Sequence, residues 1–430
     1  MTLPPGPPLP VMAQTLLLGL RPLKFVESCQ RRYGDRFTIH IVDGRTIVMV
    51  ADPAGIKEVF SGDPEDLRAG AANSVLEPFL GTHSLLLLDG DRHRRERQLM
   101  LPALHGERMH VYRELVAEVM RRDMATWPQN RDFALRPHTQ AVALEVILRA
   151  VFGLDDAEKV ENVRGLMLRL LRASSSPTIM VQTWRRDLGR WSPWGRFVRR
   201  RADVDQAVYA EIRSRRQAPE LAERDDILSL LLMARFDDGT ELGDEELRDE
   251  LMTLLLAGHE TTATALAWTF DLLLQNPHEL QRLKAQLRRG DQTYVDAVIK
   301  EALRLRPVIP EVGRRLQRPM NVAGMDLPAG VLISPAIYLA HMNPEVFPDP
   351  KVFRPERFLS TSVDTFSWIP FGGGRRRCLG AAFATMEMRE ILSTVIRNVD
   401  LCPVDRRPER PTRRAVTLSP SRGCRVRIAA

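Results

Sequence analysis

The chain has 430 residues, 44% hydrophobic and 27% charged, which is ordinary for a globular protein and long enough for a large buried core. Its formal net charge of +7 is carried almost wholly by arginine, since only six of the 62 basic residues are lysine. No zinc finger, RNP motif or basic zipper accompanies that charge, so a nucleic-acid binder is not expected.

Residues 1–20 form a proline-rich N-terminal segment, and the apolar run from Met12 to Leu20 is far too short for a bilayer of roughly 30 Å. No stretch reads as a secretory signal or membrane anchor, and a cytoplasmic protein is expected. Arg36 to Val42 and Arg45 to Val50 flank Asp43-Gly44, a strong hairpin signal, and Ala51 to Phe60 reads as a short helix. From residue 91 to about 305 the apolar spacing is mostly helical. The longest predicted helix runs from Asp244 to Gln275, with Asp244, Glu245 and Glu246 in its first turn and Asn276-Pro277 ending it. Val322 to Ile337 forms a second β-rich patch, and a helix follows Gly380. No repeat or linker divides the chain, so one mainly α domain with small β-sheets is expected over residues 1–430. Four scattered cysteines (Cys29, Cys378, Cys402, Cys424) lack paired spacing, which argues for a reducing compartment without a disulfide framework.

The densest chemistry lies in Phe371-Gly372-Gly373-Gly374-Arg375-Arg376-Arg377-Cys378-Leu379-Gly380. Glycines let the backbone fold tightly and approach a flat ligand. Backbone N–H groups at the following helix start favour a thiolate, and Arg376 is placed to pair with a carboxylate. A planar iron cofactor bearing carboxylates, with sulfur as axial ligand, fits these demands. The plainer reading is a structural cysteine beside an anion-binding glycine nest. Within the long helix, Ala257-Gly258-His259-Glu260-Thr261-Thr262 places a carboxylate and hydroxyls where burial is costly unless they are used. Gly258 and a threonine hydroxyl are expected to open a notch there. His93 and Arg97 share a helix face, as do Glu301 and Arg304, and both pairs are common on plain surface helices.

The decapeptide resembles the haem-binding signature of cytochrome P-450, F-x-x-G-x-R-x-C-x-G, at every fixed position. Ala257 to Thr262 is similar to the family's A-G-x-(D/E)-T-(T/S) motif. Glu301-Ala302-Leu303-Arg304 with Pro355-Glu356-Arg357-Phe358 resembles its E-x-x-R and P-E-R-F pair. The resemblance implies a triangular helical body with a long central helix and a minor β-rich region. It implies haem b (iron protoporphyrin IX) with Cys378 as metal ligand and Phe371, Gly372, Gly380 and Ala257 against the cofactor. Arg376, His93, Arg97 and Arg314 are expected on the propionates, with Arg315 as the rival to Arg314. Glu260 and Thr261 become the acid–alcohol pair that delivers protons during oxygen activation, while Glu301, Arg304 and Arg357 become a structural network.

The implied activity is that of a soluble bacterial monooxygenase. It inserts one oxygen atom from O2 into a C–H bond of a lipophilic molecule, by hydroxylation or epoxidation. Fatty acids are the first expectation, with terpenoids, steroids or macrocycles behind them. Leu76, Phe79, Leu80, Ala257, Val308, Ile309 and Leu418 are expected around the substrate. Electrons are expected from NAD(P)H through a reductase and a ferredoxin docking over Arg375 and Arg377 of a monomer. Two alternatives stay open. A peroxide-using haem-thiolate peroxygenase usually lacks the acid–alcohol pair, and a non-catalytic haem-binding sensor needs no proton relay. Trp184, Trp191 and Trp194 lie among arginines in an expected mobile lid, either packed ordinarily or touching a membrane.

Overall fold

In the computed structural model, which describes residues 2–104, 108–154, 156–174, 185–360, 363–405 and 407–429, the predicted elements sit close to their expected bounds. The chain divides into two compact units. The first holds residues 1–68, 113–142 and 261–430; the second holds 69–112 and 143–260. The helices that carry or abut the motifs are, in chain order, α1 (Pro53–Ser61), α2 (Gly90–Met100), α3 (Asp244–Gln275), α4 (Thr293–Leu305), α5 (Ile337–His341) and α6 (Ala381–Asn398).

In the first unit, β1 (Arg36–His40) and β2 (Thr46–Val50) pair antiparallel from Arg36 opposite Val50 to His40 opposite Thr46. The strands stop short of Val42 because the loop folds on itself, with Gly44 N–H donating to Ile41 O at 3.1 Å. Gly44 takes a φ of +80°, a conformation that glycine adopts without strain. Helix α1 begins at Pro53, not Ala51, because Asp52 caps it: its carboxylate accepts from Gly55 N–H at 2.7 Å.

The remaining strands are β3 (Leu67–Arg68), β4 (Phe133–Ala134), β5 (Arg314–Leu316), β6 (Met320–Val322), β7 (Met325–Leu327), β8 (Leu332–Pro335), β9 (Leu401–Pro403), β10 (Pro411–Arg414), β11 (Thr417–Pro420) and β12 (Arg425–Ile428). A five-stranded sheet runs β1-β2-β8-β5-β3, parallel only between β2 and β8. Its apolar residues Val48, Val50 and Ile333 share one core with Ile56 and Phe60 of α1 and with Ile369. That core ties the sheet to the approach of the Cys378 loop. Strand periodicity also separates the two candidate arginines, since Arg314 faces inward and is buried while Arg315 is exposed.

Helix α3 spans both units, the division falling between Glu260 and Thr261. Its 32 residues, at about 1.5 Å each, run for about 48 Å. The expected notch does not appear as a break, because helix is continuous through Gly258. A Cβ at Gly258 would lie 3.0 Å from Ile147 Cδ1, so the glycine serves close packing of a neighbouring helix.

The second unit is pinned by buried arginines. Arg215 donates to both oxygens of Asp226 at 2.6 Å and to Phe152 O at 2.5 Å. Arg248 donates to Leu80 O at 3.0 Å and pairs with Asp205 and Asp249. Among the described residues no helix is long and apolar enough to cross a membrane. Trp191 is 78% exposed, Trp194 packs on Phe197 at 5.3 Å, and Trp184 lies outside the described residues.

Candidate active site

Glu301 and Arg304 sit one helical turn apart on α4, and both are fully buried. Arg304 grips Glu301 bidentately, at 2.7 Å from Nε and 2.9 Å from Nη2. Its Nη1 donates to His341 O and Pro350 O, both at 2.8 Å. Arg357 Nε adds a bond to Glu301 Oε1 at 3.1 Å, and Arg354 N–H adds one at 2.9 Å. The guanidinium of Arg304 lies over the Phe347 ring at 5.1 Å.

His341 extends this cluster to the cysteine loop. Its Nδ1 lies 3.1 Å from Arg304 O, and its Nε2 accepts Ile369 N–H at 2.9 Å. One nitrogen must donate while the other accepts, so the ring is neutral with its proton on Nδ1. Burial, reinforced by the Arg304 charge, holds its pKa down to about 3. Sequence alone did not single out His341, because a lone histidine in an apolar stretch looks like any core residue.

Ile369 leads directly into the glycine loop. Gly372 and Gly374 adopt φ of +69° and +62°. A Cβ at Gly374 would lie 2.1 Å from Phe60 O, so only glycine lets this loop close against α1. Cys378 N–H then donates to Phe371 O at 2.9 Å, and the cysteine side chain stands exposed three residues before α6. Arg376 is half-buried, whereas Arg375 and Arg377 are exposed. The other cysteines are poorer thiolate candidates. Burial pushes the thiols of Cys29 and Cys424 up, the latter with help from Asp271 and Glu409, and Cys402 lies in β9 away from any glycine loop.

On α3, burial is interrupted where the motif sits: Ala257 is exposed and Gly258, Glu260 and Thr261 are half-buried, whereas His259 and Thr262 are buried. His259 is turned back into the helix, with Nδ1 2.6 Å from Leu255 O. Thr262 hydrogen-bonds Glu387 of α6, a fully enclosed acid whose pKa burial pushes up to about 8. Glu387 was missed in the sequence, although it shares an apolar helix face with Phe383 and Ile391, where an acid is itself a signal.

On α2, His93 is 6% exposed and Arg97 half-buried, while Arg92 and Arg94 face solvent. The basic-surface reading therefore fails for His93. Arg314 stacks over Phe60 at 5.6 Å. Of the residues expected near substrate, Leu80, Val308 and Leu418 are buried, and Leu76, Phe79 and Ile309 are half-buried. Leu418 N–H donates to Val308 O at 2.8 Å, bringing those two together, and Phe79 stacks edge-on against Phe197 at 4.8 Å.

A family model described as Cytochrome P450 matches residues 3–425. The chain is 42% identical to cytochrome P450 135B1 of Mycobacterium tuberculosis over its whole length and 92% of the relative. It is 40% identical to cytochrome P450 137 of the same organism over 93% of this chain and 84% of the relative. Retinoic acid-bound cyanobacterial CYP120A1 shares the fold at a TM-score of 0.87 and 24% identity, covering 99% of both chains. The haem domain of cytochrome P450DA superposes at 0.84 and 23% identity, over 100% of this chain and 98% of that one. The chain belongs to the cytochrome P450 family, and with membership come a haem cofactor and oxygen-incorporating monooxygenase activity.

The residues present fit that cofactor. An accessible sulfur donor on a glycine-tightened loop and a buried arginine nearby in the same unit answer to a flat, anionic, iron-bearing group. Removing Glu301 leaves Arg304 as a buried, unmatched charge, and Glu301→Ala should cost about 3–5 kcal/mol in urea unfolding. The His341 value lies below that of an unfolded histidine, so its contribution is present above about pH 6.5 and lost as pH falls toward 3. Thermal unfolding across that window should show a slope that His341→Asn flattens.

Proposed function

We propose that Cys378 would supply a thiolate ligand to haem b and that the chain hydroxylates or epoxidises a lipophilic small molecule as a single catalytic domain. The observation that carries this reading is the exposure of Cys378 at the end of a loop braced by Phe60, Phe371 and, through Ile369, by His341. The bound haem would supply oxygen activation and electron storage, and a thiolate ligand favours O–O cleavage.

The chain's own groups have separable tasks in this proposal. Arg376, Arg314, His93 and Arg97 would neutralise the propionates, and the inward turn of Arg314, against the outward turn of Arg315, favours the former. Phe371, Gly372, Gly380 and Ala257 would pack on the ring. The Glu260 carboxylate and the Thr261 hydroxyl would together hold and relay a proton. Both groups are half-buried on the continuous helix α3. Leu76, Phe79 and Leu80 of the second unit, and Val308, Ile309 and Leu418 of the first, would each offer apolar contacts to the substrate. Fatty acids lead the substrate proposal, with terpenoids, steroids and macrocycles behind. A type-I spectral screen should include retinoic acid, the compound bound in the cyanobacterial relative.

Electrons would come from NAD(P)H through a ferredoxin docking over the exposed Arg375 and Arg377. Arg375→Glu with Arg377→Glu should slow reduction by ferredoxin and remove its salt dependence, measured by stopped flow; unchanged kinetics would refute that docking face. Cys378→Ser should abolish the long-wavelength Soret band of the reduced, carbon monoxide-bound protein. Glu260→Gln should lower product formation on the order of 100-fold, with reductant consumption exceeding product formed.

A further inference from the structure

Two acids without an assigned task lie deep in the second unit. Glu250 is on α3, ten residues before Glu260, and is fully buried. Glu96 is on α2, between His93 and Arg97, and is 2% exposed. Their side chains meet in hydrogen-bond contact. Yet neither oxygen of Glu250, nor Oε2 of Glu96, meets a donor in good geometry among the described residues. Acceptor facing acceptor is resolved when one carboxyl carries a proton, because its O–H then donates to the other.

The surroundings decide which acid holds it. Arg92 Nε donates to Glu96 Oε1 at 3.0 Å, and Arg92 Nη2 reaches Glu246 Oε1 at 2.6 Å. Burial pushes the Glu96 carboxyl up and Glu246 adds to it, but Arg92 opposes both, and Glu250 has no such cation among the groups that shift it. Glu250 is pushed well up, first by burial and then by the charge of Glu96, with Asp249 adding to it and the Leu85 N–H opposing. Asp249 is itself occupied by Arg248 Nη1 at 2.7 Å and by His83, whose N–H donates to it at 2.9 Å and whose Nδ1 lies 3.5 Å away.

We propose that Glu250 keeps its proton at neutral pH and donates it to a charged Glu96, and that this shared proton holds α2 on α3 and so positions His93 and Arg97. The positioning part rests on the propionate reading of those two residues; the shared proton does not. An unfolded glutamate would ionise where Glu250 stays protonated, so folding retains a proton and stability falls as pH rises from the ordinary carboxyl range toward the raised value. Glu250→Gln replaces the O–H donor with an amide donor that pH does not remove.

The test uses the holoenzyme and three readouts. In infrared difference spectra at neutral pH, Glu250→Gln should delete a protonated-carboxyl carbonyl band that Glu96→Gln only shifts; an unchanged band in both variants overturns the proposal. The melting temperature of Glu250→Gln minus that of the wild type should rise as pH climbs above the ordinary carboxyl range, and a difference that stays flat from pH 6 to 9 overturns the proposal. Alkaline loss of the long-wavelength carbon monoxide band should set in at lower pH in the wild type than in Glu250→Gln. If the first two results hold and this third does not, the shared proton stands and the positioning of His93 and Arg97 is wrong. If the wild type never shows the band, the haem-thiolate reading itself has failed.

Discussion

A guanidinium with no access to water sets the framework of this protein. Arg304 is fully buried, and its charge is tolerable only because Glu301 grips it bidentately while three backbone carbonyls take its remaining N–H groups. Those carbonyls belong to His341, Pro350 and Val352, segments far from α4 in sequence. One side chain thereby fixes the course of the chain that leads into the cysteine loop. His341 relays the constraint to Ile369, and Phe60 closes it from the other side against Gly373 and Gly374. If Cys378 is to serve as a metal ligand it needs such bracing, since a sulfur free to move would sample many geometries.

Much of this was readable in the sequence, for identifiable reasons. The bounds of α3 were visible because an acidic first turn and an Asn-Pro stop are local signals. The β1–β2 hairpin was visible because Asp43-Gly44 demands a turn. Cys378 stood out because glycines, arginine and cysteine at fixed spacing constrain one another. Residues whose meaning depends on distant partners were not readable. His341 acquires its role from Arg304 and Ile369, and Glu387 from Thr262. The ambiguity between Arg314 and Arg315 needed the strand's inward and outward alternation to be placed against a core. Gly258 misled for a related reason, since its packing partner Ile147 lies more than a hundred residues away.

Buried acids recur against α3, near its start and at its middle. Glu250 meets Glu96 in the second unit, and Glu387 meets Thr262 in the first. Each is more expensive to bury than an apolar residue of the same size, and each is held toward its neutral form.

The central claim is that sulfur from Cys378 is the protein's own ligand to haem iron. X-ray absorption at the iron edge of the resting holoenzyme measures it most directly. The account predicts one sulfur scatterer in the wild type that disappears in Cys378→His. A first shell of nitrogen and oxygen alone in the wild type, or sulfur persisting in that variant, would contradict it.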